Sequence, residues 1–215
     1  MNESMLAAIE AHYRETCPYT GCNALADPVR EALLHVDRRH FVPHERGALA
    51  LCDAALPIGC GQTISQPFIV ALMTQLLAPQ VFHTVLEVGT GSGYQAAVLA
   101  ELVARVHTVE IIAELANDAA DRLQSLGYRN IEVHAGDGYH GLPLAAPFDG
   151  IIITAALPSV PLALLEQLRI GGRLVAPLGQ PHQVQQLVVM EKQLGGEIST
   201  RNVLPVSFVP FTRAH

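Results

Sequence analysis

The sequence predicts an α/β fold: a doubly wound, mainly parallel sheet with a helical N-terminal extension and an antiparallel C-terminal edge. Three observations carry this. Strand-like apolar runs alternate with helical periods over residues 67–177. A glycine cluster follows the first run and opens the next helix. The runs at 85–88 and 150–153 are almost continuously apolar, as strands covered on both faces are. The composition agrees: of 215 residues, 50% are hydrophobic and 15% charged, enough apolar surface to exclude disorder and to fill one domain.

Residues 4–36 read as helical, with Leu6, Ile9 and Tyr13 on one stripe and Leu25, Val29, Leu33 and Leu34 on another. Asp27-Pro28 predicts a helix start, with Asp27 as the cap. The periodicity then fails over 37–66, where Pro43, Pro57, Gly59 and Gly61 interrupt it. A connection this long is usually functional or disordered, and Phe41, Val42, Leu49, Leu51, Leu56 and Ile58 argue for order. It is read as a binding segment. A helix is predicted at 67–77, then strands at 84–88, 105–110, 131–135, 148–154 and 172–177, with helices at 94–103, 113–126 and 161–168 between them. Runs at 186–191 and 201–208 supply the antiparallel edge. The chain divides as one domain in three parts: 1–66, 67–180 and 181–215.

Several functions are disfavoured. Thirteen Lys and Arg against twenty Asp and Glu give a net charge of −7, which does not suit a general nucleic-acid binder. No apolar run approaches the ~20 residues of a membrane span. The start, Met1-Asn2-Glu3-Ser4, lacks the basic residues of a secretory signal, so a cytoplasmic location is expected. Cys17, Cys22, Cys52 and Cys60 form no Cys-x-x-Cys pair and are expected to be free thiols. The ten histidines are scattered without ligand spacing, so no metal site is expected. A monomer is the default.

The chemistry-bearing turn is Glu87-Val88-Gly89-Thr90-Gly91-Ser92-Gly93. Open α/β sheets bind ligands at the carboxyl ends of their strands, and glycines let the backbone approach closely. Glu110 ends the next strand, 21 residues after Gly89. There it can accept hydrogen bonds from two ribose hydroxyls, or stand as a solvated strand end. NAD and S-adenosylmethionine both carry ribose. The dinucleotide pattern Gly-x-Gly-x-x-Gly fails here, because Tyr94 holds the sixth position. Glu87 would repel a pyrophosphate but suits a cationic ligand end, which favours S-adenosylmethionine. Gly136-Asp137-Gly138 closes the third strand of the alternation, either as an adenine contact or as a plain turn.

The run Val85-Leu86-Glu87-Val88-Gly89-Thr90-Gly91-Ser92-Gly93-Tyr94 resembles the first motif of class I S-adenosylmethionine-dependent methyltransferases, whose sheet is Rossmann-like. More narrowly, Leu56-Pro57-Ile58-Gly59-Cys60-Gly61-Gln62-Thr63-Ile64-Ser65-Gln66-Pro67 resembles the protein-L-isoaspartate O-methyltransferase family. Supporting blocks are Arg39-His40-Phe41-Val42-Pro43, Ala146-Pro147-Phe148-Asp149, Thr154-Ala155-Ala156, 171–179 and Phe208-Val209-Pro210.

The resemblance implies methyl transfer from S-adenosylmethionine to the side-chain carboxylate of L-isoaspartyl residues in damaged proteins and peptides, with S-adenosylhomocysteine as the other product. It implies a positioning role for Ser65 beside the reacting carboxylate. It places Gln62, Thr63, Ile64, Glu87, Gly89, Thr90, Gly91, Ser92, Gly93, Glu110, Asp137, Gly138 and Thr212 around the cofactor. The alternative role for Thr63 and Ser65 is to cap the helix that starts at Pro67. Two positions depart from the family pattern: Leu51, where bacterial members commonly carry an aromatic, and Ser207, where they often carry Arg. Both are expected to flank the peptide site. The competing readings are a same-fold methyltransferase acting on another carboxylate or a small molecule, and a paralogue that binds without turnover.

Overall fold

The computed structural model describes residues 3–180 and 183–213. The outermost residues of the expected domain, 1–2 and 214–215, and residues 181–182 lie outside the described residues.

The N-terminal extension is two helices, α1 (Glu3–Thr20) and α2 (Asp27–His35). Asp27 does not cap α2: Ala26 holds that position without a side-chain bond, so Asp27 and Pro28 fall inside the first turn. The reason is a tether, because the Ala26 N–H donates to Gln75 Oε1 at 2.9 Å. Tyr13 OH donates to the same oxygen at 3.1 Å. One glutamine on α3 (Pro67–Leu77) thus binds both N-terminal helices to the core.

The 37–66 segment is more regular than its sequence suggested. Two short 3-10 turns are followed by a hairpin, β1 (Leu56–Gly59) and β2 (Gln62–Ile64). Cys60 and Gly61 form its two-residue turn, with φ of 50° and 71°. Positive φ at both central residues is what a right-twisted hairpin demands.

The main sheet contains β3 (Thr84–Val88), β4 (Arg105–Glu110), β5 (Ile131–Ala135), β6 (Phe148–Ile153), β7 (Leu168–Leu178), β8 (Gln185–Lys192) and β9 (Ile198–Val206). Its order is β5-β4-β3-β6-β7-β8-β9. The first five strands are parallel, and β8 and β9 add the antiparallel edge. The helices between strands are α4 (Tyr94–Ala100), α5 (Ala113–Ser125) and α6 (Leu162–Gln167). α4 stops three residues before the expected end because Asn130 Nδ2 binds the Ala100 and Val103 carbonyls and draws the chain out of the helix. β7 starts four residues early, across an irregular register opposite Phe148 and Gly150.

Side chains alternate between two cores. Val85, Val106, Ile152 and Val175 face α1 to α4. Leu86, Val88, Ile151, Ile153 and Leu174 face α6 and the 142–146 segment. All nine are buried, which is why these strands read as unbroken apolar runs. The chain winds outward from β3 to β5, then returns to β6 on the other side of β3. That reversal leaves a crevice at the carboxyl end of β3. The four cysteines are free, and among the described residues no helix is long and apolar enough to cross a membrane.

Candidate active site

The crevice is roofed by the glycine loop. Gly89, Gly91 and Gly93 have φ of 101°, 53° and 86°. At Gly89 a Cβ would run into Thr154 Oγ1, which donates to the Gly89 carbonyl at 2.6 Å. The loop is therefore locked against the end of β6, and only glycine fits there. Gly93 does a different job from the one expected. It precedes α4 away from the cleft, and a Cβ there would press on Leu123 of α5 at 3.2 Å.

Glu110 is almost fully buried, and both its oxygens are engaged. Oε2 accepts the Gly91 N–H at 2.8 Å, and Oε1 accepts the Ile112 N–H at 3.0 Å. These bonds make the carboxylate part of the cleft wall rather than a solvated strand end. Each oxygen keeps a lone pair for a further donor.

Glu87 is fully buried. Thr108 Oγ1 donates to its Oε2 at 2.6 Å, and Thr90 Oγ1 lies 2.6 Å from Thr108 Oγ1. Its other oxygen, Oε1, has no partner among the described residues. Burial, reinforced by the nearby Glu110 charge and opposed by the Thr108 bond, pushes the Glu87 carboxyl up to about 8. A buried acceptor without a donor is costly, and a cationic ligand group would satisfy it.

Asp137 departs from expectation. Its Oδ1 caps the following turn through the Tyr139 N–H at 2.9 Å, and its Oδ2 lies 3.6 Å from Arg213 Nε. Asp137 is not among the residues lining the cleft, whereas Gly138 is, packed so closely that a Cβ would strike Val88. The backbone, not the acid, faces the ligand side.

The cleft encloses about 780 Å³, part of it open to solvent, within the usual range for small-molecule sites. Gln62, Thr63, Ile64, Ser65, Glu87, Gly89, Thr90, Gly91, Ser92, Glu110, Gly138 and Thr212 line it. Thr212 arrives because the tail folds back: the Ala156 N–H donates to Val209 O and the Phe211 N–H to Ala156 O, each at 2.8 Å. Gln95, Ile111, Ile112, Thr154 and Phe211 also line the cleft, and sequence reasoning did not assign them.

A second cleft adjoins the first. Thr63, Ser65, Thr154 and Val209 line both. Its far side is formed by His12, Thr16, Phe68, Ser207 and Phe208. Among the described residues His12 is its one ionisable lining side chain, and Asp53 Oδ2 holds His12 Nδ1 at 2.9 Å. No sequence signal pointed to His12, since it lies on the first helix, far along the chain. Ser207 does flank this cleft as expected, but Leu51 packs toward the core instead.

Ser65 stands in the partition between the clefts. It does not cap α3: the N-cap is Gln66, and the Phe68 N–H donates instead to Asp53 Oδ1 at 2.8 Å. The Ser65 carbonyl accepts from Arg38 Nη2 at 3.0 Å, leaving the hydroxyl without a partner among the described residues. Arg38 is itself fully buried. Its Nη1 reaches the Ala50 and Cys52 carbonyls at 2.6 and 3.4 Å, and Nη2 reaches Ala54 O at 2.9 Å. One guanidinium thus gathers the 50–65 segment, a role nothing in the sequence marked.

A parallel sheet reversing at β3, a glycine loop on β3, an acid ending β4 and a covering segment from the N-terminal side define a methyltransferase of the class I type. The sequence model of the family "Protein-L-isoaspartate(D-aspartate) O-methyltransferase (PCMT)" matches residues 20–215, and the chain belongs to that family. It is 53% identical over 211 residues to protein-L-isoaspartate O-methyltransferase 2 of Syntrophobacter fumaroxidans, covering 98% of this chain and 85% of that protein. With protein-L-isoaspartate O-methyltransferase 2 of Polaromonas sp. it shares 51% over 208 residues, covering 97% and 99%. Among solved structures, a protein-L-isoaspartate O-methyltransferase superposes with a TM-score of 0.83 at 26% identity, over 98% of this chain and 65% of that one. A Plasmodium falciparum β-aspartate methyltransferase in complex with S-adenosyl-L-homocysteine shares the fold with a TM-score of 0.81 at 21% identity, covering 99% of each chain.

Proposed function

We infer that this chain methylates the side-chain carboxylate of L-isoaspartyl residues in damaged proteins and peptides, using S-adenosylmethionine. The observation that carries the reading is Ser65 in the wall shared by two clefts. One cleft suits the cofactor and the other an extended peptide.

The residues of the first cleft fit S-adenosylmethionine. The unpartnered Glu87 Oε1 suits its ammonium, Glu110 suits a ribose, and the Gly89–Gly91 backbone allows close approach. Thr90, Ser92, Gly138 and Thr212 complete the surround, with Gln62, Thr63 and Ile64 covering it. In this reading Asp137 acts only through the turn that sets Gly138, and Gly93 only through packing. When bound, S-adenosylmethionine supplies an activated methyl group and leaves as S-adenosylhomocysteine.

The chain's own task is alignment. A peptide carboxylate has a reference pKa near ~4 and is already ionised at neutral pH, so no general base is needed. The Ser65 hydroxyl donates to one carboxylate oxygen and aims the other through the gap between the clefts. The apolar walls at Ile64, Phe68 and Val209 exclude water. The methyl ester closes spontaneously to a succinimide, whose hydrolysis returns some normal aspartyl linkage.

We read the chain as a single domain in three parts, 1–66, 67–180 and 181–215. It acts in the cytoplasm as a monomer on isoaspartyl-containing proteins and peptides, without nucleic-acid or membrane partners. Incubation with methyl-labelled cofactor and a matched pair of isoaspartyl and aspartyl peptides tests the reading. Base-labile label on the isoaspartyl peptide alone is expected. Equal labelling of both, labelling of neither, or base-stable label contradicts it.

A further inference from the structure

Away from both clefts, His107 of β4 meets Glu132 and His134 of β5. His107 pairs with Glu132 in the parallel register, and His134 lies two residues further on, so all three side chains leave the same sheet face. Their ligand atoms all lie within 4.8 Å of one another. His107 Nδ1 is 3.2 Å from His134 Nε2 and 3.6 Å from Glu132 Oε2. Two imidazole nitrogens on one tetrahedral ion, each at ~2.0–2.1 Å, stand about 3.3 Å apart. The histidine pair already has that spacing.

The surroundings suit a bound ion. His107 is buried, with Phe148 of β6 edge-on at 5.9 Å. Arg105 Nη1 holds Glu132 Oε1 at 3.1 Å, which leaves Oε2 turned toward His107. An outer partner that orients a ligating carboxylate is usual at metal sites. Two imidazoles, one carboxylate and an open fourth position form a donor set suited to zinc and its neighbours.

We propose that His107, Glu132 and His134 bind one divalent transition-metal ion and clip the outer strand β5 to β4. The ion plays no part in methyl transfer, since none of the three residues lines either cleft. Its predicted effect is structural, through preferential binding to the folded chain.

The test uses chelator-treated full-length protein titrated with zinc chloride, followed by calorimetry and thermal melting. One ion per chain and a higher melting temperature are expected. Cobalt(II) should give tetrahedral d–d bands without the thiolate charge-transfer band that Cys52 or Cys60 would add. His107→Ala risks the core, so the exposed Glu132→Gln and the half-buried His134→Gln are the decisive variants. Each should weaken zinc at least tenfold, while the metal-free melt stays near that of the parent. Absence of stoichiometric binding, unchanged affinity in both variants, or a thiolate band overturns the proposal.

Discussion

From Val85 to Val88 and from Gly150 to Ile153, every residue is buried between helices and neighbouring strands, and stability there is spread over many apolar contacts. The 38–66 segment is built differently. It buries few large side chains and converges on two polar groups. Arg38 binds the carbonyls of Ala50, Cys52, Ala54 and Ser65, and Asp53 takes the Phe68 N–H, the Gln66 amide and His12. The sheet is a scaffold that hangs on no single bond. The segment carrying Ser65 hangs on a few bonds, and those few bonds set where Ser65 stands.

The sharpest way to break this contrast is Arg38→Ala. It strands several carbonyls inside the protein and is expected to cost about 3–5 kcal/mol, at about 1–3 kcal/mol for each buried acceptor left without a donor. Hydrogen exchange should show amides of 50–65 opening while β3 and β6 remain protected, with turnover lost. Uniform loss of protection would mean that the two regions are a single cooperative unit.

Glu110→Ala comes next. If the carboxylate that holds the loop also takes the ribose, as proposed, its removal should raise the cofactor dissociation constant about 100-fold, worth about 3 kcal/mol, while turnover at saturation changes little. Binding calorimetry and saturation kinetics separate the two effects.

Glu87 gives an effect that is small per pH unit, and it depends on pH. Burial pushes its carboxyl up to about 8 from the ordinary 4.5. Between those values the folded chain holds a proton that the unfolded chain has lost. Stability from this group is therefore full below the window and falls as pH rises through it, by up to about 1.4 kcal/mol per pH unit. Cofactor affinity should move the opposite way, because a cationic ligand favours the ionised carboxylate. It should rise up to about tenfold per pH unit toward pH 8, with proton release on binding. Glu87→Gln should flatten both profiles; unaltered profiles would show that another group titrates.

The same contrast explains what could be read in advance. β3, β4, β5 and α3 have the bounds the sequence predicts, because local apolar pattern sets them, helped by Gly89 after β3, Gly136 after β5 and Pro67 at the start of α3. Glu110 was legible because its distance from the glycine loop is fixed by one helix and one strand. The Arg38 and Asp53 clasps were not, since they join residues 12 to 41 positions apart through side-chain bonds that leave no periodic trace. The hairpin was hidden for another reason: Gly59 and Gly61 act as breakers in helical patterns but as turn formers between short strands. His107, Glu132 and His134 are scattered along the chain and meet only through strand register.

The most direct measurement is the split between turnover and cofactor affinity in Ser65→Ala, with an isoaspartyl peptide as substrate. The account predicts that kcat falls about 10- to 100-fold while the S-adenosylmethionine dissociation constant stays within about twofold, the pattern of a lost contact to the reacting carboxylate. Full activity in Ser65→Ala, or a loss of cofactor affinity that accounts for the whole effect, would contradict it.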